Sequence, residues 1–493
     1  MASIVLLHCF ITIPKFACIC NTARLNYILH MVISFLDYIL LPFYILLFYF
    51  FTRRLANKLN DPELKKIMLN AFWLRMLGTI AYCMVVQYYY GYGDSITYYA
   101  GAQFFLARIS EDFGSLSYLF APFEEMESLY LMYSNNAGFT GYFSAPASNM
   151  VMRIATLFSY ISFNSFVIIS LFFGMFSFLG QWKLFKVFDA VNKQRSRKVV
   201  ALAVLYTPSI WFWGSGLLKD SICLGSLGLI IHILYKFFAR KKFSFTNLVF
   251  LVVLVFIVNV IKSYIVTIAA VGLAVMFFAL FLKSIKIKIL RMALTFFAFV
   301  AFAVLFYAGD FTGQINDIAA ESLEQIEYFQ KNYQASSDSD ESSKSGFGIG
   351  EVSASPAALL LKSPLVIFTC LFRPFVLESR KVFILFTSLE TTSFLILTLY
   401  LMFKIGFINF FRKIFASPSM VFCFTLSILF ALVIGFTTFN FGTMIRYKII
   451  FLPFFYFMLV HLYTHHVLKK VPKSNMPIPA NMLNASSTNT TLS

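Results

Sequence analysis

Long apolar runs separated by short clusters of lysine and arginine dominate this sequence and restrict it to a helical membrane bundle. Hydrophobic residues make up 59% of the 493 positions and charged residues only 13%, whereas about 25% of a soluble domain is charged. A bilayer crossing needs about 20 apolar residues, and helices satisfy their own backbone polar groups there. We therefore predict an all-α, polytopic transmembrane bundle of about 10–13 spans.

The apolar runs define one integral membrane domain, which we place at residues 32–468. Residues 1–31 are an uncertain N-terminal segment, because the apolar stretch at 4–13 is too short to span a bilayer. Met31 is an alternative start. Residues 469–493 are polar after a lysine cluster, and we predict a disordered cytoplasmic tail.

The distribution of charge predicts which loops face each side of the membrane. Basic clusters between apolar runs are typical of cytoplasmic loops, which places the C-terminus in the cytoplasm of a cytoplasmic (inner) membrane protein. Acidic residues concentrate in two long segments, 90–150 and 309–363, which we predict to be outer loops with interfacial helices, the second acting as a lid. The net charge is +18, and the basic residues lie in short clusters between apolar runs. We therefore predict that they bind anionic membrane lipids and not nucleic acid.

Two apolar segments contain polar interruptions that predict breaks within the membrane. The run at 247–282 is flanked by basic residues on both sides, so it must cross an even number of times. About 54 Å of helix barely crosses a 30 Å core twice, which predicts a tight hairpin with Lys262 at its tip. The shorter run at 365–377 contains Arg373 and Pro374 and is interpreted as re-entrant.

Asp94 is the first candidate for chemistry, in the segment Tyr92-Gly-Asp-Ser-Ile-Thr-Tyr98 just past the second apolar run. A carboxylate at this position could act as a general base on a hydroxyl group, or hold a divalent cation through its oxygens. The alternative is a helix N-cap, for which Asp is favoured and which needs no function. Tyr98 is a supporting residue.

The segment at 208–220, PSIWFWGSGLLKD, is the second candidate. It combines interfacial tryptophans and a Gly-Ser-Gly turn with Lys219 and Asp220, and the alternative is an aromatic belt followed by a surface ion pair. Isolated cations at membrane depth are costly and indicate function. Four are predicted near one outer surface, which favours an anionic partner such as a lipid-linked phosphate or diphosphate: Lys219, Lys262, Arg373 and Arg446.

Three further charged residues complete the candidate set. Glu378 follows Arg373 closely, and Lys448 follows Arg446 before a Phe-Leu-Pro sequence, so both are supporting residues. Glu390 lies within an apolar run, where burial with a hydrogen-bonding partner is the favoured interpretation.

Three segments together resemble the bacterial GT-C-type glycosyltransferases and the related O-antigen polymerase-like proteins. They are YGDSITYYAGA at 92–102, PSIWFWGSGLLKDS at 208–221 and RYKIIFLPFF at 446–455. The resemblance implies transfer of sugar from a polyprenyl-phosphate or polyprenyl-diphosphate donor to a glycan or lipid acceptor at the outer face. Asp94 would then be the base, or the ligand of a divalent cation, and Lys219, Arg373 and Arg446 would hold the donor phosphate.

Two other classes of protein fit parts of the pattern. A lipid-linked glycan flippase or secondary transporter would also carry polar groups in a helical bundle, but at the midplane, on discontinuous helices and in two related halves. The sequence has no internal repeat, and its polar candidates lie toward one face. A non-catalytic scaffold of an envelope assembly would explain the acidic loops but not the clustered cations.

Overall fold

A computed structural model describes residues 32–133, 140–193, 195–287, 289–290, 293–294, 356–379, 382–438 and 440–468. The uncertain segment 1–31 and the tail 469–493 lie outside these described residues. The same holds for most of the predicted outer loop 309–363 and for almost all of the apolar run 290–307, whose length and composition predict a further span.

The described chain is helical throughout its regular elements. The helices of the first part are α1 (Phe35–Asn57), α2 (Pro62–Val85, continued by a π-helix Val86–Tyr90), α3 (Asp94–Glu111), α4 (Met126–Tyr133), α5 (Thr140–Ser144), α6 (Pro146–Ile161) and α7 (Phe166–Val191). The rest are α8 (Arg197–Val204), α9 (Pro208–Trp213), α10 (Lys219–Phe238), α11 (Phe245–Ser284), α12 (Pro356–Phe372), α13 (Val382–Ile405), α14 (Phe407–Phe415), α15 (Pro418–Thr437), α16 (Phe441–Lys448) and α17 (Leu452–His466). Short 3₁₀ helices cover Phe113–Leu119, Phe123–Glu125 and Val376–Glu378.

Seven of the described helices are long and apolar enough to cross a membrane: α1, α2, α7, α10, α11, α13 and α15. The pair α16 and α17 passes the same criterion together, with a 65° bend between them. These helices confirm the predicted all-helical, multi-pass membrane protein. The remaining predicted spans include 290–307, outside the described residues, and the depth of the 90–150 helices relative to the bilayer stays a prediction.

Helix starts follow from local sequence. Asp61 caps α2, its carboxylate accepting the Glu63 N–H at 2.9 Å, and Pro62 occupies the first helical position, where its missing N–H costs nothing. Asp37 is buried and joins two helices, because it accepts from Ser34 N at 2.7 Å in α1 and from Val167 N at 3.0 Å in α7.

The apolar run at 199–213 predicts one helical span, but the chain crosses the bundle there, from Arg197 at one end to Asp220 at the other, as two short helices. The chain there forms α8 and α9, of eight and six residues, separated at 205–207. Pro208 disfavours helical conformation in the residue before it, and a helix of eight residues is only about 12 Å long. The hydrophobicity of the segment instead reflects burial in the bundle, since Val200, Val204 and Ile210 are fully buried.

Glycines bring α7 and α10 into backbone contact. A Cβ atom on Gly180 would overlap the carbonyl oxygen of Gly225, and one on Gly228 would overlap the carbonyl oxygen of Gly180. Small residues at such crossings allow the close packing that holds membrane helices together. Because Gly225 also meets Phe176, contacts advance in the same direction along both helices, which are therefore parallel.

Substituting Gly180 with Ala should destabilise the protein by about 1–3 kcal/mol, because the added methyl group forces the two backbones apart. Thermal unfolding in lipid nanodiscs measures the effect. Gly141→Ala is the matched control, since a Cβ there meets nothing within 4 Å. Equal unfolding temperatures for the two variants would contradict the close helix contact.

The chain reverses direction within α11, at Lys262, as predicted from charge parity. Lys262 has non-helical backbone angles of φ −152° and ψ 82°, and its side chain binds Asp220 at the start of α10. Phe277, further along α11, lies 4.9 Å (ring centroids) from Phe238 at the end of α10. The second half of α11 therefore runs alongside α10, while the first half runs the opposite way, so Lys262 is at the tip of a hairpin.

The opposite end of the bundle, here called the basic end, collects the predicted cytoplasmic loops. Arg197 pairs with Asp61 and, at 3.2 Å, with Asp189. Nearby, His461 Nδ1 near the end of α17 lies 2.9 Å from Asn192 Oδ1. The loops that are rich in lysine and arginine thus lie together at one end of the bundle. Asp220 and Lys262 lie at the other end.

Candidate functional site

A cavity of about 440 Å³ lies at the end of the bundle opposite the basic end. It is lined by Asp94, Tyr98, Gly141, Tyr142, Ser148, Lys219, Lys262, Arg446 and Tyr447. These residues come from α3, α5, α6, α10, α11 and α16, so distant parts of the chain meet there.

Arg446 joins the two carboxylates of the cavity. Its Nη2 lies 2.9 Å from Asp94 Oδ2, and its Nε lies 3.0 Å from Asp220 Oδ2. The second contact is an ion pair without hydrogen-bond geometry, since neither Nε nor Oδ2 has a hydrogen-bond partner among the described residues. The Asp220 side chain is fully buried, and a buried carboxylate requires such compensation.

Lys262 is the second cation on Asp220, with a hydrogen bond from Nζ to Oδ1. Its Nζ also lies 3.9 Å from the centroid of the Tyr447 ring, a cation–π geometry. Asp220 therefore lies between Lys262 at the hairpin tip and Arg446 near the C-terminal helix.

Lys219 differs from the other cations of the cavity in its partners. Its Nζ donates to Ser148 Oγ at 3.0 Å and lies 5.7 Å from the centroid of Tyr98. Among the ion pairs of the described residues, none joins Lys219 to a carboxylate. Three cations and two carboxylates meet at this site, so its formal charge is positive.

Asp94 is the first residue of α3, and the N-cap position belongs to Gly93, whose φ of +128° suits glycine. The N-cap interpretation of Asp94 is therefore wrong by one residue, although a carboxylate in the first turn does favour the helix dipole. Tyr142 donates from its hydroxyl to Asp94 Oδ1 at 3.3 Å. Burial raises the pKa of Tyr142, and the Asp94 charge raises it further, so the phenol stays protonated as a donor.

Glu390 fixes the start of the 208–220 segment. Its carboxylate accepts from Ser209 N at 2.9 Å and Ser209 Oγ at 2.7 Å, at the N-terminus of α9, where negative charge is favoured. Tyr456 of α17 donates to the same carboxylate at 3.0 Å. Glu390 is thus buried with hydrogen-bonding partners, as predicted.

Arg75 of α2 holds the other end of α9. This arginine is almost fully buried, and its Nη1 donates to the Ile210 carbonyl at 3.2 Å and to Ser215 Oγ at 3.3 Å. Its Nη2 donates to Gln181 of α7. The Ile210 carbonyl also accepts from the N–H of the C-cap Gly214 at 3.1 Å, so Arg75 is its second donor, and a cation is favoured at a helix C-terminus.

Ser95 links the two predicted motifs directly. Its hydroxyl donates to the Leu217 carbonyl at 2.9 Å and shares a 2.7 Å hydrogen bond with Tyr82. The turn from Gly214 to Leu218 is buried and non-helical, so its carbonyls need such partners. The position of Lys219 and Asp220 therefore depends on contacts from α2, α3 and α13.

The structure brings together most of the residues predicted from sequence. Five line the cavity: Asp94, Tyr98, Lys219, Lys262 and Arg446. Asp220 is buried against two of them.

Arg373, Glu378 and Lys448 lie outside the cavity lining. Arg373 Nε donates to Glu378 Oε1 at 2.9 Å, and the guanidinium lies 5.3 Å from the ring centroid of Phe441. Lys448 is buried and donates to the Arg373 carbonyl at 2.7 Å. Arg373 directly follows the end of α12, so Lys448 satisfies a backbone carbonyl at that helix end. This contact explains the position of Lys448 better than a ligand does.

Sequence reasoning missed Tyr142, Ser148 and the buried Arg75. Tyr142 and Ser148 lie in an unremarkable polar stretch, with no motif to single them out. Arg75 carried a usable signal, because it is a lone arginine within an apolar run of a predicted span.

The donor set does not suit a divalent cation. Asp94 and Asp220 both face Arg446, and Lys262 binds the second carboxylate. No group of three or more His, Cys, Asp or Glu within the described part of the chain could hold a metal ion. One or two carboxylates can hold Mg²⁺ together with substrate phosphates, but both carboxylates here are already paired with cations, which disfavours such binding.

Comparison of the chain with protein-family models, curated proteins and solved structures finds no match.

Proposed function

We propose that the protein is a membrane glycosyltransferase or polysaccharide polymerase that uses a polyprenyl-(di)phosphate-linked sugar donor at the outer face of the cytoplasmic membrane. The observation that carries the proposal is Lys219, a cation in the cavity without a carboxylate partner among the described residues. An anionic headgroup would supply that partner, and Lys262 and Arg446 line the same cavity.

The proposed reaction assigns a role to three charged residues of the cavity: Asp94, Lys219 and Arg446. Asp94 removes the proton from an acceptor hydroxyl, whose oxygen forms a bond to the anomeric carbon of the sugar. The bond from that carbon to the donor phosphate oxygen breaks, and the phosphate leaves with the electron pair. Lys219 and Arg446 stabilise the negative charge that develops on the phosphate. No step requires a metal.

Lys219→Gln tests the anion site directly. We expect binding of a polyprenyl monophosphate to weaken about tenfold, or about 1.4 kcal/mol, because the variant keeps a hydrogen-bonding side chain but loses the charge. The measurement is titration of the protein in phosphatidylcholine nanodiscs, with the uncharged polyprenol as the reference ligand. Lys58→Gln, exposed at the basic end, is the control.

Equal affinity for the phosphate and the alcohol would overturn the proposed anion site. Binding without turnover is a separate outcome, measured by mass spectrometry of products from a panel of polyprenyl-phosphate sugars. Product that forms equally with Asp94→Asn would contradict the role of Asp94 as base.

A flippase or secondary transporter of a lipid-linked glycan is the second candidate, and one observation favours it. Helices are interrupted beside the cavity, at Lys262 and at the 65° bend between α16 and α17, and transporters build their sites on such discontinuous helices. Proteoliposomes distinguish the two: movement of a fluorescent polyprenyl-phosphate sugar between leaflets, without a change in its mass, would favour transport over transfer.

A further inference from the structure

A group of like charges lies at the basic end, on the two helices that the glycines bring together. Beyond the Gly180 contact, α7 carries Lys183 and Lys186, and α10 carries His232 and Lys236. Positions 180 and 183 share one face of α7, and positions 228, 232 and 236 share one face of α10. Because the helices are parallel, these side chains extend toward the same end, where Arg240 follows.

The helix register brings these charges to similar heights, because Gly180 meets Gly228 and the lysines and His232 follow within about 12 Å along the two parallel helices. Lys183 interacts unfavourably with Lys186 and Lys236, and Lys186 does so with Arg240 and Lys236. The carboxylate nearest to Lys186, that of Asp189, is bound to Arg197 at 3.2 Å.

The three lysines, here called the lysine cluster (Lys183, Lys186 and Lys236), are only partly exposed. None of their ammonium groups has an ion pair or hydrogen bond with another described residue. His232 Nδ1 is a buried atom that likewise lacks a partner in the described chain. Three partly buried cations between tightly packed helices need a counter-ion, since mutual repulsion is strong where water is limited.

The surroundings favour a lipid as the source of that counter-ion. Phe238 and Phe243, next to Arg240, expose 58% and 68% of their surface, as expected for aromatic side chains at a membrane boundary. Basic pockets between membrane helices commonly bind phosphate headgroups. We propose that the lysine cluster binds the phosphate headgroup of an anionic phospholipid, at a site separate from the Asp94 cavity and independent of its function.

The test compares a triple variant, Lys183→Gln with Lys186→Gln and Lys236→Gln, in two kinds of nanodisc. In pure phosphatidylcholine it should unfold at the same or a higher temperature than the wild type, because repulsion is removed. In discs containing phosphatidylglycerol only the wild type should gain stability. Native mass spectrometry with phosphatidylglycerol should show binding weakened by roughly 100-fold, since each basic side chain near an anionic lipid surface contributes about fivefold.

A matched control removes the same charge from the same end. Lys58, Lys241 and Lys242 are exposed, so their triple substitution with Gln should leave most of the phosphatidylglycerol effect intact. A triple Lys→Arg variant of the lysine cluster keeps the charge and should keep the binding, which separates loss of charge from loss of fold.

Four results would overturn the proposal. Phosphatidylglycerol could stabilise the Gln variant as much as the wild type, or the control triple could lose as much binding. Inorganic phosphate at millimolar concentration could stabilise the wild type as strongly as the lipid does, which would identify a site for free phosphate instead. A variant destabilised equally in both discs, with the Lys→Arg variant behaving the same way, would mean that the lysines act only in packing.

Discussion

Replacing Arg446 with Ala should reduce sugar transfer by about 100-fold or more, the effect typical of losing one preorganised donor at a reacting centre. Arg446 is the residue that holds Asp94 and Asp220 together, with nitrogen–oxygen distances of 2.9 and 3.0 Å. Without it, the two carboxylates repel any incoming phosphate, and only Lys262 remains on the buried one. Product formation from a polyprenyl-phosphate sugar by the purified protein measures the loss.

Two further variants sharpen the Arg446 result. Arg446→Lys keeps one charge but cannot span both carboxylates, so we expect intermediate activity. Arg54→Ala removes an exposed arginine at the other end of the bundle and should match the wild type. Full activity of Arg446→Ala, with unfolding unchanged, would disprove the proposed active site.

Replacing Glu390 with Ala should destabilise the protein by about 3 kcal/mol or more, because three buried donors lose their acceptor at roughly 1 kcal/mol or more each. Those donors are the N–H and hydroxyl of Ser209 and the hydroxyl of Tyr456. Release of α9 should also displace Lys219, so polyprenyl monophosphate binding should weaken in the folded fraction. Thermal unfolding and ligand titration in nanodiscs measure the two effects.

Glu390→Gln separates charge from hydrogen bonding. Ser209 Oγ and Tyr456 both donate to Oε1, so an amide oxygen there keeps two hydrogen bonds, while the NH₂ group faces the Ser209 N–H. We therefore expect Glu390→Gln to be less stable than the wild type and more stable than Glu390→Ala. Thr392→Ala is the control in the same helix, because its hydroxyl has no hydrogen-bond partner among the described residues. If Glu390→Ala unfolded like that control, the carboxylate would not be holding α9.

Much of the fold could be predicted from the spacing of apolar runs and basic clusters. Charge parity alone placed a reversal at Lys262, because both flanks of 247–282 are basic. The same reasoning placed Lys219 and Arg446 at one surface, and the structure puts both in one cavity. Hydrophobicity did not reveal that the crossing at 199–213 is divided, since apolar content alone does not distinguish one continuous helix from two short ones.

Specific pairings could not be predicted, because they depend on how distant helices pack. Arg373 and Arg446 look equivalent as isolated cations near Pro or Tyr, yet one pairs locally with Glu378 and the other bridges two carboxylates. Local sequence proximity favours the first arrangement, and only tertiary structure produces the second. The hydrogen bonds from Arg75 to Ile210 and Ser215 likewise join residues that are far apart in the sequence.

The charge pairs of the cavity also impose an order on biosynthesis. The ribosome makes Asp220 before Lys262, so the hairpin carrying Lys262 can enter the bilayer with its counter-charge already in place. Arg446 emerges only with the last helices, and until then Asp94 lacks its cation. A chain that ends before α16 would therefore leave Asp94 without the Arg446 guanidinium that neutralises it in the complete bundle.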